Sequence, residues 1–371
     1  MRTRYLTMTA LAALFTLTLL GVKPAVAGVK LEVAPDYFVT LSYLLQPQMQ
    51  INHDLGADAT TNDWYIRRSR IILGGQVSEW VSFFMETDSP NWGRGGNFNA
   101  NTSFFVQDAW VKFNLHEAFN VHMGMILPPF VRHFRQSAVS LNTLDYHGTL
   151  NQYPGGMVWR DLGIEFGGLL FNERIDYRLS VANGGWGDGL TEIPRFTGRI
   201  GYNFLDSEPG YFFGGTYLRS KRIFSVGVAF DVQPDILAGV TDPAGNPATD
   251  MYFAVGADVA WDLPFVGGNR LSGSANFVYY GDEDYAGAGI GALFDIGYAI
   301  GKWQPLLLAN WFKPERADDF DDHFLRLGAG LNYWLHGHNA NIKLEVAMVK
   351  NPTVEFSDSQ IVTTLQTQLF F

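Results

Sequence analysis

Apolar and polar residues alternate at every second position through almost the whole chain after residue 27. The pattern is clearest in residues 174–183, 195–204 and 340–349, where apolar side chains fall on one face and charged or polar side chains on the other. Period-two alternation is typical of β-strands with one apolar face. The alternating segments are separated by turn residues, and their length of about 9–12 residues suits tilted strands that cross a bilayer.

No apolar stretch after residue 27 is long enough to form a membrane-spanning helix, since none reaches the required length of about 18 uncharged residues. A closed barrel is the other structure that satisfies its own backbone inside a bilayer. No linker or composition shift divides the chain into the smaller domains of soluble sandwiches. The sequence therefore predicts an all-β fold, a transmembrane antiparallel β-barrel over residues 28–371.

Both ends of the chain favour export. The start combines basic "MRTR", apolar "LTMTALAALFTLTLLG" and the small residues Ala25 and Ala27, which predicts a signal peptide over residues 1–27 with cleavage near Ala27. Residues 361–371 alternate and end on Phe371, which resembles the sorting signal of bacterial outer-membrane proteins. We expect an integral protein of the bacterial outer membrane, in contact with lipid and lipopolysaccharide.

The number of strands has to be even in a bacterial barrel of this kind. Merging candidates 211–219 and 223–231 into one bulged strand gives sixteen, and a missed strand would give eighteen. Long loops are expected at residues 52–63, 89–103, 129–159, 184–194, 232–250, 281–288, 313–323 and 350–359. Seventeen segments qualify before the merging: 37–51, 64–77, 79–88, 104–115, 119–127, 160–171, 174–183, 195–204, 211–219, 223–231, 251–262, 270–280, 289–300, 303–312, 324–334, 340–349 and 360–371.

The polar faces place charges in the predicted lumen. An arginine-rich wall and a facing acidic wall would produce a transverse field that favours polar solutes. The alternative is that these charges only pair with one another and hold the barrel rigid. The arginine-rich wall is mixed and comprises Arg68, Arg70, Lys112, Arg174, Arg178, Arg195 and Arg199 with Glu86, Asp108, Asp161, Glu165 and Asp176. The facing, mainly acidic wall comprises Asp231, Asp258, Asp262, Asp295 and Glu345 with Arg326 and Lys343.

Loop 129–159 is longer than ordinary connections, and loops of such length are usually functional or disordered. It mixes apolar residues with Arg132 and Arg135. Folded into the lumen, it would narrow the pore and bring both arginines to the constriction. The alternative is an outward loop that contacts lipopolysaccharide or a neighbouring subunit.

Strand 64–77 opens with the arginine-rich sequence "DWYIRRSRIILGG". Strict alternation predicts Tyr65 and Arg67 on the lipid face, at the outer rim, and Arg68 and Arg70 at the pore mouth.

Four stretches in order, "RRSRIILGGQV", "DAWVKFNLHEAFNVHMGMILPPF", "RIDYRLSVANGGWGDG" and "RFTGRIGYNF", resemble the phosphate-selective porin O and P family. The likeness implies a sixteen-stranded, trimeric diffusion channel for small hydrophilic solutes, with the third long loop folded inward. Loop 129–159 contains no lysine, unlike the lysine-rich constriction of that family. Phosphate selectivity therefore does not follow, although arginine can bind oxyanions through paired hydrogen bonds and give a mild anion preference.

Composition argues against several other functions. The chain has no cysteine, which excludes haem attachment through C-x-x-C-H and any cysteine-ligated metal. Loss of Arg2, Arg4 and Lys23 with the signal peptide would change the formal net charge from −11 to −14, which disfavours a nucleic-acid partner. No nucleophile elbow or paired-acid spacing indicates an enzyme, and we expect no cofactor and no metal site.

Two alternatives stay open: a barrel sheath around a multihaem cytochrome, and an outer-membrane hydrolase or adhesin.

Overall fold

The computed structural model describes residues 28–96, 103–150, 159–184, 193–234, 251–281, 288–315, 323–350 and 359–371. The predicted signal peptide lies outside these residues. Within them no helix is long and apolar enough to cross a membrane. The strands are β1 Val29–Ala34, β2 Tyr37–Asp54, β3 Ala59–Ser78, β4 Val81–Asp88, β5 Phe105–His116, β6 Phe119–Ile126, β7 Asp161–Leu170, β8 Ile175–Ala182, β9 Arg195–Asn203, β10 Ile223–Gln233, β11 Tyr252–Pro264, β12 Arg270–Gly281, β13 Gly289–Ala299, β14 Trp303–Pro314, β15 Phe324–His336, β16 Ala340–Lys350 and β17 Gln360–Phe370, and one short helix, α1, spans Arg132–Arg135.

Strands β2 to β17 form a closed antiparallel barrel of sixteen strands, as predicted. Each strand pairs with its neighbour along the chain, and β17 pairs with β2 to close the ring. At the seam, the Tyr43 amide donates to the Phe371 carbonyl at 2.7 Å, and the Phe371 amide donates to the Tyr43 carbonyl at 3.2 Å. The short strand β1, which the alternation did not predict, pairs with residues 37–41 of β2 beyond that point. The last residue of the chain thus takes part in closing the barrel, which leaves no open edge.

The two faces of each strand follow the alternation. In β9, Phe196, Ile200 and Tyr202 are exposed on the outside, while Arg195 and Arg199 are buried on the inside. An apolar exterior around a polar interior is the reverse of a soluble fold and is the arrangement that a lipid environment requires.

Strand β10 corrects the predicted merging of residues 211–231. It begins at Ile223, and Arg222 lies before it, exposed and paired with Asp206 at 3.0 Å. The barrel reaches sixteen because residues 211–219 are not a strand at all. They belong to a segment that leaves the wall and enters the lumen.

Short turns are grouped at one end of the barrel, as expected: 79–80, 117–118, 171–174, 265–269, 300–302 and 337–339. The exception at this end is the connection 204–222 between β9 and β10. Most of the predicted long loops at the other end lie partly outside the described residues. The predicted loop 52–63 is wrong in extent, because β2 and β3 stay paired as far as Asp54 and Ala59. Only residues 55–58 turn there.

A β-bulge in β3 reverses part of the predicted orientation. The register between β2 and β3 shifts at Gln46 and Pro47, opposite Ile66 and Arg68. Because the bulge adds one residue to β3, side chains before it point to the opposite face from the one that strict alternation with the later residues predicts. Tyr65 is therefore buried inside, where its hydroxyl donates to Gln48 at 2.6 Å, and the predicted lipid-facing position is wrong.

Candidate functional site

The loop that follows β6 folds into the lumen, as predicted. Its described residues, 127–150, include Phe130, Val131 and Phe134, all buried against the far wall. The apolar cluster that they join also contains Leu150, Ala229, Tyr252, Ala254, Val278, Tyr280, Ala288, Leu293, Phe312 and Phe324. This burial fixes one side of the loop to strands β10 to β15, and we call residues 127–150 the constriction loop.

Helix α1 docks on strands β11 and β12 through its first backbone amides. The Arg132 amide donates to Asp258 Oδ2, and the His133 amide donates to Asn276 Oδ1, each at 3.0 Å. The first amides of a helix have no partner within the helix. Wall side chains therefore satisfy donors that the loop could not satisfy itself.

Asn142 holds the middle of the constriction loop to the wall. Its Nδ2 donates to Asp295 Oδ1 at 2.6 Å, and its Oδ1 accepts from Ser272 at 3.1 Å and from Gln304 at 2.8 Å. Lys343 Nζ donates to the carbonyls of the residues on either side, at 2.6 Å and 2.8 Å. A buried lysine and a buried amide thus bind the middle of the loop to strands β12, β13, β14 and β16.

Asp145 joins the loop to the arginines of β3. Arg67 Nε and Arg68 Nη2 donate to its two carboxylate oxygens, each at 2.5 Å. Burial opposes the charged form, but the two guanidinium groups prevail and hold the pKa of Asp145 well below its usual range. Because Arg67 occupies the bulge, it turns inward with Arg68 and not toward lipid as predicted.

His133 is one of two buried histidines in the constriction loop, the other being His147. Its Nε2 accepts the backbone amide of His147 at 3.0 Å, so this nitrogen is unprotonated. Burial lowers the pKa of His133 to about 4. The loop is therefore built around a neutral imidazole at neutral pH.

Most of the predicted arginines and acids form ion pairs. The pairs are Arg68 with Asp145 at 2.5 Å, Arg70 with Glu86 at 2.7 Å, Arg132 with Glu208 at 2.5 Å, Arg135 with Glu165 at 2.5 Å, Arg178 with Asp176 at 3.1 Å, Arg195 with Asp231, Arg199 with Asp258 at 2.5 Å and Arg270 with Asp262 at 2.5 Å. Asp295 binds Asn142 and Ser274. Each guanidinium is thus largely neutralised where it stands, which weakens the predicted field between an arginine wall and an acidic wall.

Arg174 is a correction to the predicted set. It lies in the turn before β8, is exposed, and donates to the carbonyls of Asn203, Phe204 and Leu205 at 2.6–3.2 Å. The alternation extended the strand one residue too far, and a turn residue at the barrel end cannot line the constriction.

Phe213 is the central residue that sequence reasoning missed. Its ring is buried, and the guanidinium carbons of Arg132, Arg178 and Arg199 lie 4.8, 4.7 and 5.0 Å from the ring centroid. Cations at such distances over an aromatic face are attracted to it. The available signal was the unusual density of aromatic and glycine residues in "YFFGGTY", in the one stretch where the strand count failed.

No metal site accompanies this arrangement in the described part of the chain: no three His, Asp or Glu side chains there could hold an ion together.

Comparison with solved structures places the fold among porins and outer-membrane channels. An anion-selective porin from Comamonas acidovorans matches with a TM-score of 0.61 at 14% identity, over 90% of this chain and 99% of that one. The outer-membrane channel DcaP of Acinetobacter baumannii matches with a TM-score of 0.58 at 14% identity, over 93% and 100%. OprB of Pseudomonas putida matches with a TM-score of 0.64 at 10% identity, over 91% and 94%. The shared feature is the general porin fold.

No protein-family model matches the sequence. No curated protein matches it either.

Proposed function

We propose that this chain is a porin of the bacterial outer membrane, through which small hydrophilic solutes and ions diffuse passively. The observation that carries the proposal is a polar, charge-lined barrel interior crossed by a loop fixed to its walls. An apolar exterior suits lipid, and a loop held inside a barrel narrows a passage without closing the wall. The porin fold of the solved relatives and the predicted signal peptide over residues 1–27 agree with this function.

The ion preference that we propose is weak. One of the similar structures is an anion-selective porin, and arginine favours anions. In this chain, however, the lumen arginines are paired with carboxylates, so little net positive charge faces a passing solute. We therefore propose at most a mild anion preference, and no phosphate selectivity.

Kinship with the phosphate-selective O and P porins is a finer proposal, which rests on the ordered motifs of residues 60–205. We likewise propose a homotrimer, in contact with lipid and lipopolysaccharide, that performs no catalysis.

The cytochrome sheath is a weaker candidate, because the constriction loop binds walls on both sides of the lumen, at Asp258 and at Arg68. A cytochrome inside the barrel would have to displace these contacts.

Swelling of liposomes tests the function directly. Proteoliposomes loaded with an impermeant polymer are diluted into isotonic solutions of sugars of increasing size, and the swelling rate is followed by light scattering. We expect fast swelling with the smallest sugar and a decline with size. Liposomes with the heat-unfolded chain provide the control. If the folded protein produces no swelling with any sugar, the diffusion function is wrong.

A further inference from the structure

The segment between β9 and β10 is an insertion into a hairpin that is already closed. The backbone hydrogen bonds between β9 and β10 continue beyond the ends of the two strands. The Phe204 amide donates to the Phe224 carbonyl at 2.9 Å, and the Asp206 amide donates to the Arg222 carbonyl at 3.0 Å. Residues 207–221 therefore lie between two residues that already pair. The other turns at this end have two to five residues, so these fifteen residues are not needed to connect the strands. Long connections in compact folds usually serve a function.

The inserted segment pairs directly with the constriction loop. Gln136 and Phe213 form a parallel bridge, in which the Ser137 amide donates to the Phe213 carbonyl at 2.9 Å and the Phe213 amide donates to the Arg135 carbonyl at 2.8 Å. A third bond joins the Thr216 amide to the Ser140 carbonyl at 3.0 Å. The two loops, which enter from opposite ends of the barrel, thus share one backbone hydrogen-bond network.

A buried ion pair links the same two loops. Arg132 donates to both carboxylate oxygens of Glu208, at 2.6 Å and 2.5 Å, and both side chains are almost completely buried. The Tyr217 hydroxyl donates to the same carboxylate. Breaking a buried pair of this kind leaves an uncompensated charge, which strongly disfavours withdrawal of the insertion.

The tip of the insertion reaches the wall that the constriction loop leaves open. The Tyr211 ring lies 4.7 Å from the Trp110 ring of β5 and 5.0 Å from the His122 ring of β6. The Phe212 ring lies 5.8 Å from the Phe84 ring of β4. The constriction loop contacts β2, β3, β7 and β10 to β17. The insertion contacts β4 to β6 and also β8, β9, β11 and β12. Strands β4 to β6 are thus reached by the insertion, while β11 and β12 contact both loops.

A cavity of 330 Å³ lies between the insertion and strands β5 to β8. Gly210 and Tyr211 line it from the insertion, and Lys112, His122 and Arg178 line it from the wall. Turn residues of the short-loop end also line it. The cavity is therefore a vestibule of that end, bounded on one side by Tyr211.

We propose that residues 207–221 are a second constriction element, which sets the size limit for solutes together with residues 127–150. This inference rests on the proposed porin function. Tyr211 is the residue that determines the width at the vestibule. A solute that leaves by this route has to pass an aromatic side chain held by the insertion, so the position of Tyr211 limits the size of the solute.

Replacement of residues 207–221 by Asn-Gly tests the proposal, because this dipeptide closes two-residue hairpins and Asp206 and Arg222 already pair. The matched control replaces the turn 265–269 by the same dipeptide at the same end. Single-channel conductance in planar bilayers is compared with the wild type, and the sugar-size limit is measured in liposomes. We expect conductance to rise at least about two-fold and larger sugars to enter, while the control stays at the wild-type value.

A second variant, Glu208→Ala, keeps the insertion and removes only its link to Arg132. We expect a larger and noisier current from this variant. Unchanged conductance and size limit in the shortened variant, with a conducting wild type, would overturn the proposal and leave the porin function intact. A silent wild type with a conducting shortened variant would overturn the open-channel function and support the insertion as the limiting element. Silence in both would overturn both.

Discussion

Replacement of Asn142 by alanine should release the tip of the constriction loop from the wall. The substitution removes three side-chain hydrogen bonds, one to the carboxylate of Asp295 and two to neutral partners. A bond to a charged group contributes roughly 1.5–3 kcal/mol and a neutral one about 1 kcal/mol. Docking of the tip should therefore weaken by roughly 3.5–5 kcal/mol, which raises the undocked fraction on the order of 1,000-fold.

The assay is the noise of the open-channel current in planar bilayers. We expect Asn142→Ala to show brief excursions to higher current that the wild type lacks. Asn114→Ala is the matched control, because Asn114 lies on β5 and donates to Ser82 of the neighbouring strand, away from the loop. A quiet Asn142→Ala current of wild-type size would refute the view that this side chain holds the constriction.

Further predictions concern pH, a buried ion pair and the seam. Burial lowers the pKa of the docked His133 to about 4, whereas an undocked His133 binds a proton near pH 6.5. Docking of the loop should therefore lose up to about 3 kcal/mol as pH falls from 6.5 to 4. Current noise at pH 4 should exceed that at pH 7, and equal noise at the two pH values would contradict this prediction. Asp145→Asn leaves the buried Arg68 without its anion and should lower the free energy of unfolding in urea by roughly 3–5 kcal/mol, an effect that an unaltered urea midpoint would disprove. Removal of Phe371 deletes two seam hydrogen bonds and should reduce the heat-modifiable, folded fraction on gels; normal folding yields would contradict a role in closure.

Alternation was sufficient to predict the barrel and most of its strand faces. The total of sixteen also needed the rule of an even strand number, and it was reached through a merging of residues 211–231 that the structure corrects. Alternation depends only on residue type at successive positions, and a lipid exterior with a polar lumen enforces that period along each strand. It failed at residues 211–219, because "YFFGGTYLR" has the composition of a strand although its backbone pairs with another loop. Local pattern cannot distinguish a strand in the wall from an extended segment inside the barrel.

The bulge at Arg67 and the ion pairs depend on contacts between residues far apart in the sequence. Arg132 and Glu208 are separated by 76 positions, and the Arg132 amide and Asp258 by 126. The sequence indicated that Arg132 and Arg135 would reach the lumen, because both lie in a long loop with apolar residues that can pack inside. It could not indicate which carboxylate each would meet, since partner choice follows from the register of the strands and the path of two loops.

The most direct test of the porin account is the single-channel current of the wild-type protein, with the reversal potential under a salt gradient. We expect a steady, open conductance with a reversal potential close to zero or slightly on the anion side, because the lumen arginines are paired. Absence of conductance from folded, heat-modifiable protein would contradict the account.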